Sequence, residues 1–247
     1  MYKHLALAAA VTLFVPQVSY AGEEQSDGEV SPFSFSANTA LVSDYVFRGI
    51  SQSDENVALQ GGFDIGHDSG LYAGLWASSI DFNDNDESSV EVDIYAGYSG
   101  EISDVSYDVG GLYYAYPGAD SSLDYDFFEV YGSLAYDLDI AAVSVGVNYS
   151  PDYFGGSGDA VYTHLGVDVP LPYDLALSGG VGYQTIDDND KFGTPDYTDW
   201  NLTLSYEWEN VNFFVTYHDT DLDEPSDCAD NCEARVVFGI STEFSTQ

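Results

Sequence analysis

A chain of 247 residues with 43 acidic and only 4 basic side chains carries a formal net charge of −39. Nucleic acid is excluded as a partner, because phosphate recognition needs clusters of Lys and Arg, and beyond Lys3 the chain holds only Arg48, Lys191 and Arg235. So acidic a chain could be disordered, but 21 Tyr and 14 Phe demand a large packed or lipid-facing surface, and small cations are its natural counterparts.

Residues 1–21 have the layout of a signal peptide: Met1-Tyr2-Lys3-His4 is basic, Leu5 to Val15 is apolar, and Ser19-Tyr20-Ala21 is a small-x-small cleavage site. The apolar run is shorter than the roughly 20 residues a spanning helix needs, and no later stretch is apolar enough for a transmembrane helix. If the chain enters a membrane it must do so as a closed barrel, the other structure that satisfies every backbone group in hydrocarbon. The expected organisation is a short N-terminal segment at 22–32 followed by one β-barrel domain at 33–247.

From residue 33 onward the pattern is period-2 alternation. Phe33, Phe35, Ala37, Thr39, Leu41, Tyr45 and Phe47 share one face of the first segment, with Ser34, Ser36, Asn38, Asp44 and Arg48 on the other. Further segments follow near 57–66, 71–82, 89–99, 104–116, 125–137, 140–150, 159–169, 173–185, 199–209, 211–218 and 233–244. Their apolar faces include Tyr72, Trp76, Ile80 and Phe82, then Val143, Val145, Val147 and Tyr149, then Trp200, Leu202, Leu204, Tyr206 and Trp208. Opposite them stand Ser144, Gly146 and Asn148, or Asn201, Thr203, Ser205 and Glu207.

A soluble sandwich or lipocalin also alternates, so the connections decide. Links after even-numbered segments are short, as in His67-Asp68-Ser69-Gly70 and Leu138-Asp139, while those after odd-numbered segments are longer and mostly acidic, as in 49–56, 81–88, 185–197 and 219–231. Short periplasmic turns alternating with long external loops mark an outer-membrane barrel. Trp200 with Trp208 and Tyr173 with Tyr183 bracket their strands as interfacial aromatics do. The predicted fold is all-β, a single up-and-down antiparallel transmembrane β-barrel of about twelve strands in a bacterial outer membrane.

The stretch Ser43-Asp-Tyr-Val-Phe-Arg-Gly-Ile-Ser-Gln52, followed by Gln60-Gly-Gly-Phe-Asp64, resembles the proteobacterial TorF family of porin-like proteins, earlier catalogued as Gcw_chp proteins of unknown function. The resemblance implies an outer-membrane barrel and brings no catalytic or binding residues with it.

No Gly-x-Ser-x-Gly elbow or His-Glu-x-x-His helix accompanies His67, His164 and His218, so no enzyme and no cofactor are expected. His67 falls in a turn, and His164 and His218 are expected to line the lumen. Acidic loops at 81–87, 187–190 and 219–224 concentrate hard oxygen donors that suit weak calcium binding, against the plainer reading of a solvated face. Cys228 and Cys232 suit a local disulfide in an exported chain. The expected function is passive diffusion of small ions or solutes with cation preference, because the pore-lining candidates Asp44, Asp64, Glu91, Asp93, Asp108, Glu129, Asp168 and Glu207 outnumber Arg48 and Arg235. These two arginines are expected to sit side by side in the lumen, Arg48 with Asp44 and Asp64 as its counter-charges. A non-conducting structural or interaction barrel is the alternative, and behind it an outer-membrane enzyme, which would need His164 or His218 beside a nucleophile. Outer-membrane lipids are the expected surroundings, and the sequence carries no signal for oligomeric state.

Overall fold

The computed structural model describes residues 31–84, 88–228 and 231–246. The signal peptide at 1–21 and nearly all of the segment at 22–32 lie outside the described residues. In chain order the strands are β1 (Phe33–Val42), β2 (Val46–Phe47), β3 (Ile50–Ser51), β4 (Ala58–His67), β5 (Leu71–Ser79), β6 (Val90–Ile102) and β7 (Val105–Ala115). They continue with β8 (Phe127–Asp137), β9 (Ala142–Ser150), β10 (Ala160–Leu171), β11 (Leu175–Ile186), β12 (Tyr197–Trp208), β13 (Val211–Thr220) and β14 (Arg235–Thr246). All but β2 and β3 form one closed antiparallel barrel, each pairing with its neighbours in the sequence, and β1 closes on β14 from Phe35↔Thr246 to Val42↔Gly239. The barrel therefore has the twelve strands that the alternation predicts.

Parity divides the barrel into two surfaces, as a two-residue period requires. Outside are Leu41, Leu59, Leu75, Ile94, Val109, Leu134, Val145, Leu165, Leu202 and Phe238, all exposed, in a belt of bare hydrocarbon around the wall. Exposed aromatics sit at both ends of that belt: Phe33, Tyr98, Tyr136, Tyr173, Trp208 and Phe244 near the short turns, and Tyr113, Phe128, Tyr149, Tyr183 and Tyr217 near the long loops. At the short-turn end Ser103, Asp139, Tyr173, Asp174 and Glu209 adopt positive φ, which the tightest hairpins demand.

Two sequence expectations are corrected. The first strand ends at Val42, and the segment at 43–57, expected to continue the strand and then form an external loop, turns into the barrel. Ser43 stops the β1–β14 ladder: its amide donates to the Phe238 carbonyl at 2.8 Å and its hydroxyl accepts from the Phe238 amide at 2.9 Å. The strands β2 and β3 then form a hairpin whose two turn residues, Arg48 (φ 47°) and Gly49 (φ 82°), both lie at positive φ, the signature of a type I′ turn. Gly49 is needed there, since a side chain would strike Thr220 and Asp199 on the wall. Tyr45 and Phe47 thus belong to the interior and not to the outer face.

The other correction concerns β5. Tyr72, Trp76 and Ile80 are buried inside the barrel, and Leu71 and Leu75 face outward. Both faces of this strand are apolar, and the inner one packs on the hairpin, Tyr45 meeting Trp76 edge-on with ring centroids 5.4 Å apart.

Candidate functional site: the lumen and its inward hairpin

The acids that parity places inside are buried, and most are held by phenols. Glu91 accepts from Tyr45 and Tyr116, each at 2.6 Å, and Asp108 accepts from Tyr72 at 2.6 Å. The Tyr72 hydroxyl also meets Tyr131, and Tyr95 donates to Asp64, which Ser36 supports at 3.3 Å. Asp93 and Asp168 each retain a buried oxygen without a hydrogen-bond partner. Glu207 follows the inward row of Asn201, Thr203 and Ser205 on β12 but lies at the short-turn end and is exposed. His218 is buried opposite Asn201 and Arg235 in the ladder, and His164 stacks on Tyr162 with its Nδ1 unpartnered.

Arg48, at the hairpin tip, crosses the lumen. Its Nη2 donates to both Glu129 oxygens, at 2.8 and 2.7 Å, and its Nη1 donates to Gln184 Oε1 at 2.8 Å. The guanidinium carbon lies 4.3 Å from the Tyr162 ring centroid, 4.6 Å from that of Phe47 and 5.9 Å from that of Tyr153, the geometry of cation–π contact. Arg48 is wholly buried and Glu129 is 1% exposed. One oxygen of Glu129 also accepts from Asn148 at 3.0 Å and Tyr114 at 3.3 Å, so the wall helps to orient the carboxylate.

The expected neighbourhood of the two arginines is therefore corrected. Arg48 pairs with neither Asp44 nor Asp64, because the inward turn carries it to the far wall, β8 and β11. Asp44 instead binds Arg235 at 2.9 Å and accepts from Ser51 and Ser53 at 2.6 and 2.9 Å, while Glu55 stands 3.5 Å from the same guanidinium. The two ion pairs thus fasten the hairpin at its tip and at its base.

Asn148 lies on the polar face that the alternation gave it, but other site residues escaped the sequence reading. Gln184 and Asp199 share the inward parity of their segments and could have been found by extending it. Tyr153 lies in the β9–β10 connection, which has no period to betray it. It packs into the lumen edge-on to Phe127, and burial pushes its phenol above the ordinary value, with Arg48 opposing the shift.

In the loops, several acids cap local backbone: Asp188 accepts from the Lys191 amide at 3.0 Å and Asp221 from the Thr198 amide at 2.7 Å. Cys228 and Cys232 form a disulfide.

A family described as "Bacterial protein of unknown function (Gcw_chp)" matches residues 26–244. The chain belongs to this Gcw_chp family. No curated sequence matches it. Among solved structures the Gcw_chp barrel is similar to a KdgM porin (TM-score 0.57, 12% identity, 85% of this chain and 99% of the other). It is also similar to a NanC porin (0.55, 12%, 85% and 98%) and to the COG4313 outer membrane channel from Pseudomonas putida F1 (0.53, 9%, 90% and 100%). At such identities the likeness is one of fold, and the Gcw_chp chain has a porin-like barrel.

Proposed function

We infer that this protein is a bacterial outer-membrane channel, and not an enzyme, through which small cations diffuse passively along a narrow lumen. One observation carries the reading: the inner wall presents Asp64, Glu91, Asp93, Asp108, Glu129, Asp168 and Asp199, while both inward arginines are already neutralised by ion pairs. Carboxylates in a low-dielectric passage favour cations and repel anions, and an acidic mouth concentrates cations before they enter. The apolar belt with aromatics at both ends supports a membrane setting, and the porin-like neighbours support the same reading.

The packed hairpin favours a second reading, a barrel whose resting lumen is shut. Planar-bilayer recording separates the two. In a potassium chloride gradient the reversal potential should take the sign of potassium permeation; chloride preference would overturn the cation reading, and silence at all voltages would establish the closed barrel.

A further inference from the structure

The surroundings of Arg48 form a site as well as a fastening. Almost all of the cage belongs to the wall: Glu129 from β8, Gln184 from β11 and Tyr162 from β10. Asn148 and Tyr114 hold one oxygen of the carboxylate independently of Arg48, so the wall keeps Glu129 aimed at the cage while its other oxygen is left for the occupant. A carboxylate on one terminal nitrogen, an amide carbonyl on the other and an aromatic face against the group together specify a guanidinium. An ammonium, a point charge with one nitrogen, can neither span the two acceptors as separate nitrogens do nor stack on the ring.

The occupant, by contrast, is imperfectly held. Arg48 sits at positive φ, where a side chain is disfavoured, and its Nε is buried with no hydrogen-bond partner, an unmet donor in a dry site. A free guanidinium group has neither constraint. The geometry points to a guanidinium-recognition site in the lumen in which Arg48 is a tethered stand-in, so that the solutes this barrel selects are small cations bearing a guanidinium group, which compete with Arg48 and release the hairpin. This deepens the channel reading and rests on it for the transport step, but the binding step stands independently.

A tether of this length holds Arg48 at an effective concentration of order millimolar or above, so the competitor is best studied where the tethered group is gone. Arg48→Ala leaves the cage empty. In bilayers, guanidinium chloride at ~10 mM should block the Arg48→Ala pore, while methylammonium chloride at the same concentration should not. The double variant Arg48→Ala with Glu129→Gln should lose the block. In detergent micelles the same guanidinium concentration, far below denaturing levels, should raise the thermal midpoint of Arg48→Ala by about 2–4 °C and leave the double variant unmoved. This readout needs no conduction, so silent bilayers with a rising midpoint would overturn the channel and keep the site. Conducting bilayers with no guanidinium effect in either measurement would overturn the site and keep the channel. In wild type, liposome swelling should be faster with arginine than with lysine at equal concentration. Equal rates would overturn the selectivity even if Arg48→Ala fails to fold.

Discussion

Three inward tyrosines share one device at the residue scale. Tyr95 faces Gly74 in the ladder, Tyr72 faces Gly97 and Tyr131 faces Gly110, and in each pair the ring occupies the space that a side chain on the glycine would fill. Lying against the wall, Tyr95 and Tyr72 reach Asp64 and Asp108 on nearby strands and supply the hydrogen bonds that buried acids require, while Tyr131 meets the Tyr72 hydroxyl. Gly97→Ala should therefore lower stability by about 1–3 kcal/mol through overpacking, read as a shift in the urea midpoint in micelles. Gly179→Ala, whose added methyl group meets only ordinary contacts, should stay near neutral. The two ion pairs differ in the same currency of burial. Glu129→Ala strands a fully buried guanidinium and should cost about 3–5 kcal/mol. Arg235→Ala strands Asp44, only 8% exposed but still held by the Ser51 and Ser53 hydroxyls, and should cost less, about 1–3 kcal/mol.

At the scale of elements, the twelve strands and most of their faces were legible because each hydrophobic set repeats with period two and short turns alternate with long loops. The hairpin of β2 and β3 was not. Residues 43–48 alternate as a strand does, so the pattern extends β1 smoothly, and the signal that breaks it is the pair Arg48-Gly49 in an I′ turn. The partner of Arg48 was illegible for a different reason: Glu129 is 81 residues away and meets it across the barrel, a contact no ladder register implies. Nor could alternation orient β5, whose two faces are equally apolar; the hairpin that packs against it decides. Placement across the lumen also separates the two arginines functionally. Arg48→Ala should raise single-channel conductance by freeing the hairpin tip, whereas Arg235→Ala, at the hairpin base, should change it little. Equal increases for both would mean that the tip does not set the constriction.

For the whole molecule, the scarcity of bases makes topology testable with one protease. Trypsin needs Lys or Arg, and among the described residues there are three: Arg48 is wholly buried, Arg235 begins a ladder strand, and Lys191 is exposed in a single helical turn, Asn189–Phe192, between β11 and β12. The Lys191 ammonium reaches the Gly156 carbonyl at 2.6 Å, a surface contact that cannot hold the turn closed for long. Cleavage should thus occur once, after Lys191, and the two pieces should stay joined by the barrel ladder until the protein is heated in detergent. Because the short turns lie at one end and this loop at the other, the side from which trypsin reaches Lys191 reports the orientation. In intact cells carrying the protein, external trypsin should nick it. Protection in intact cells with cleavage only after the outer membrane is opened would place the long loops inside, reversing the proposed orientation, and cleavage after Arg48 in the folded protein would show that the hairpin leaves the lumen.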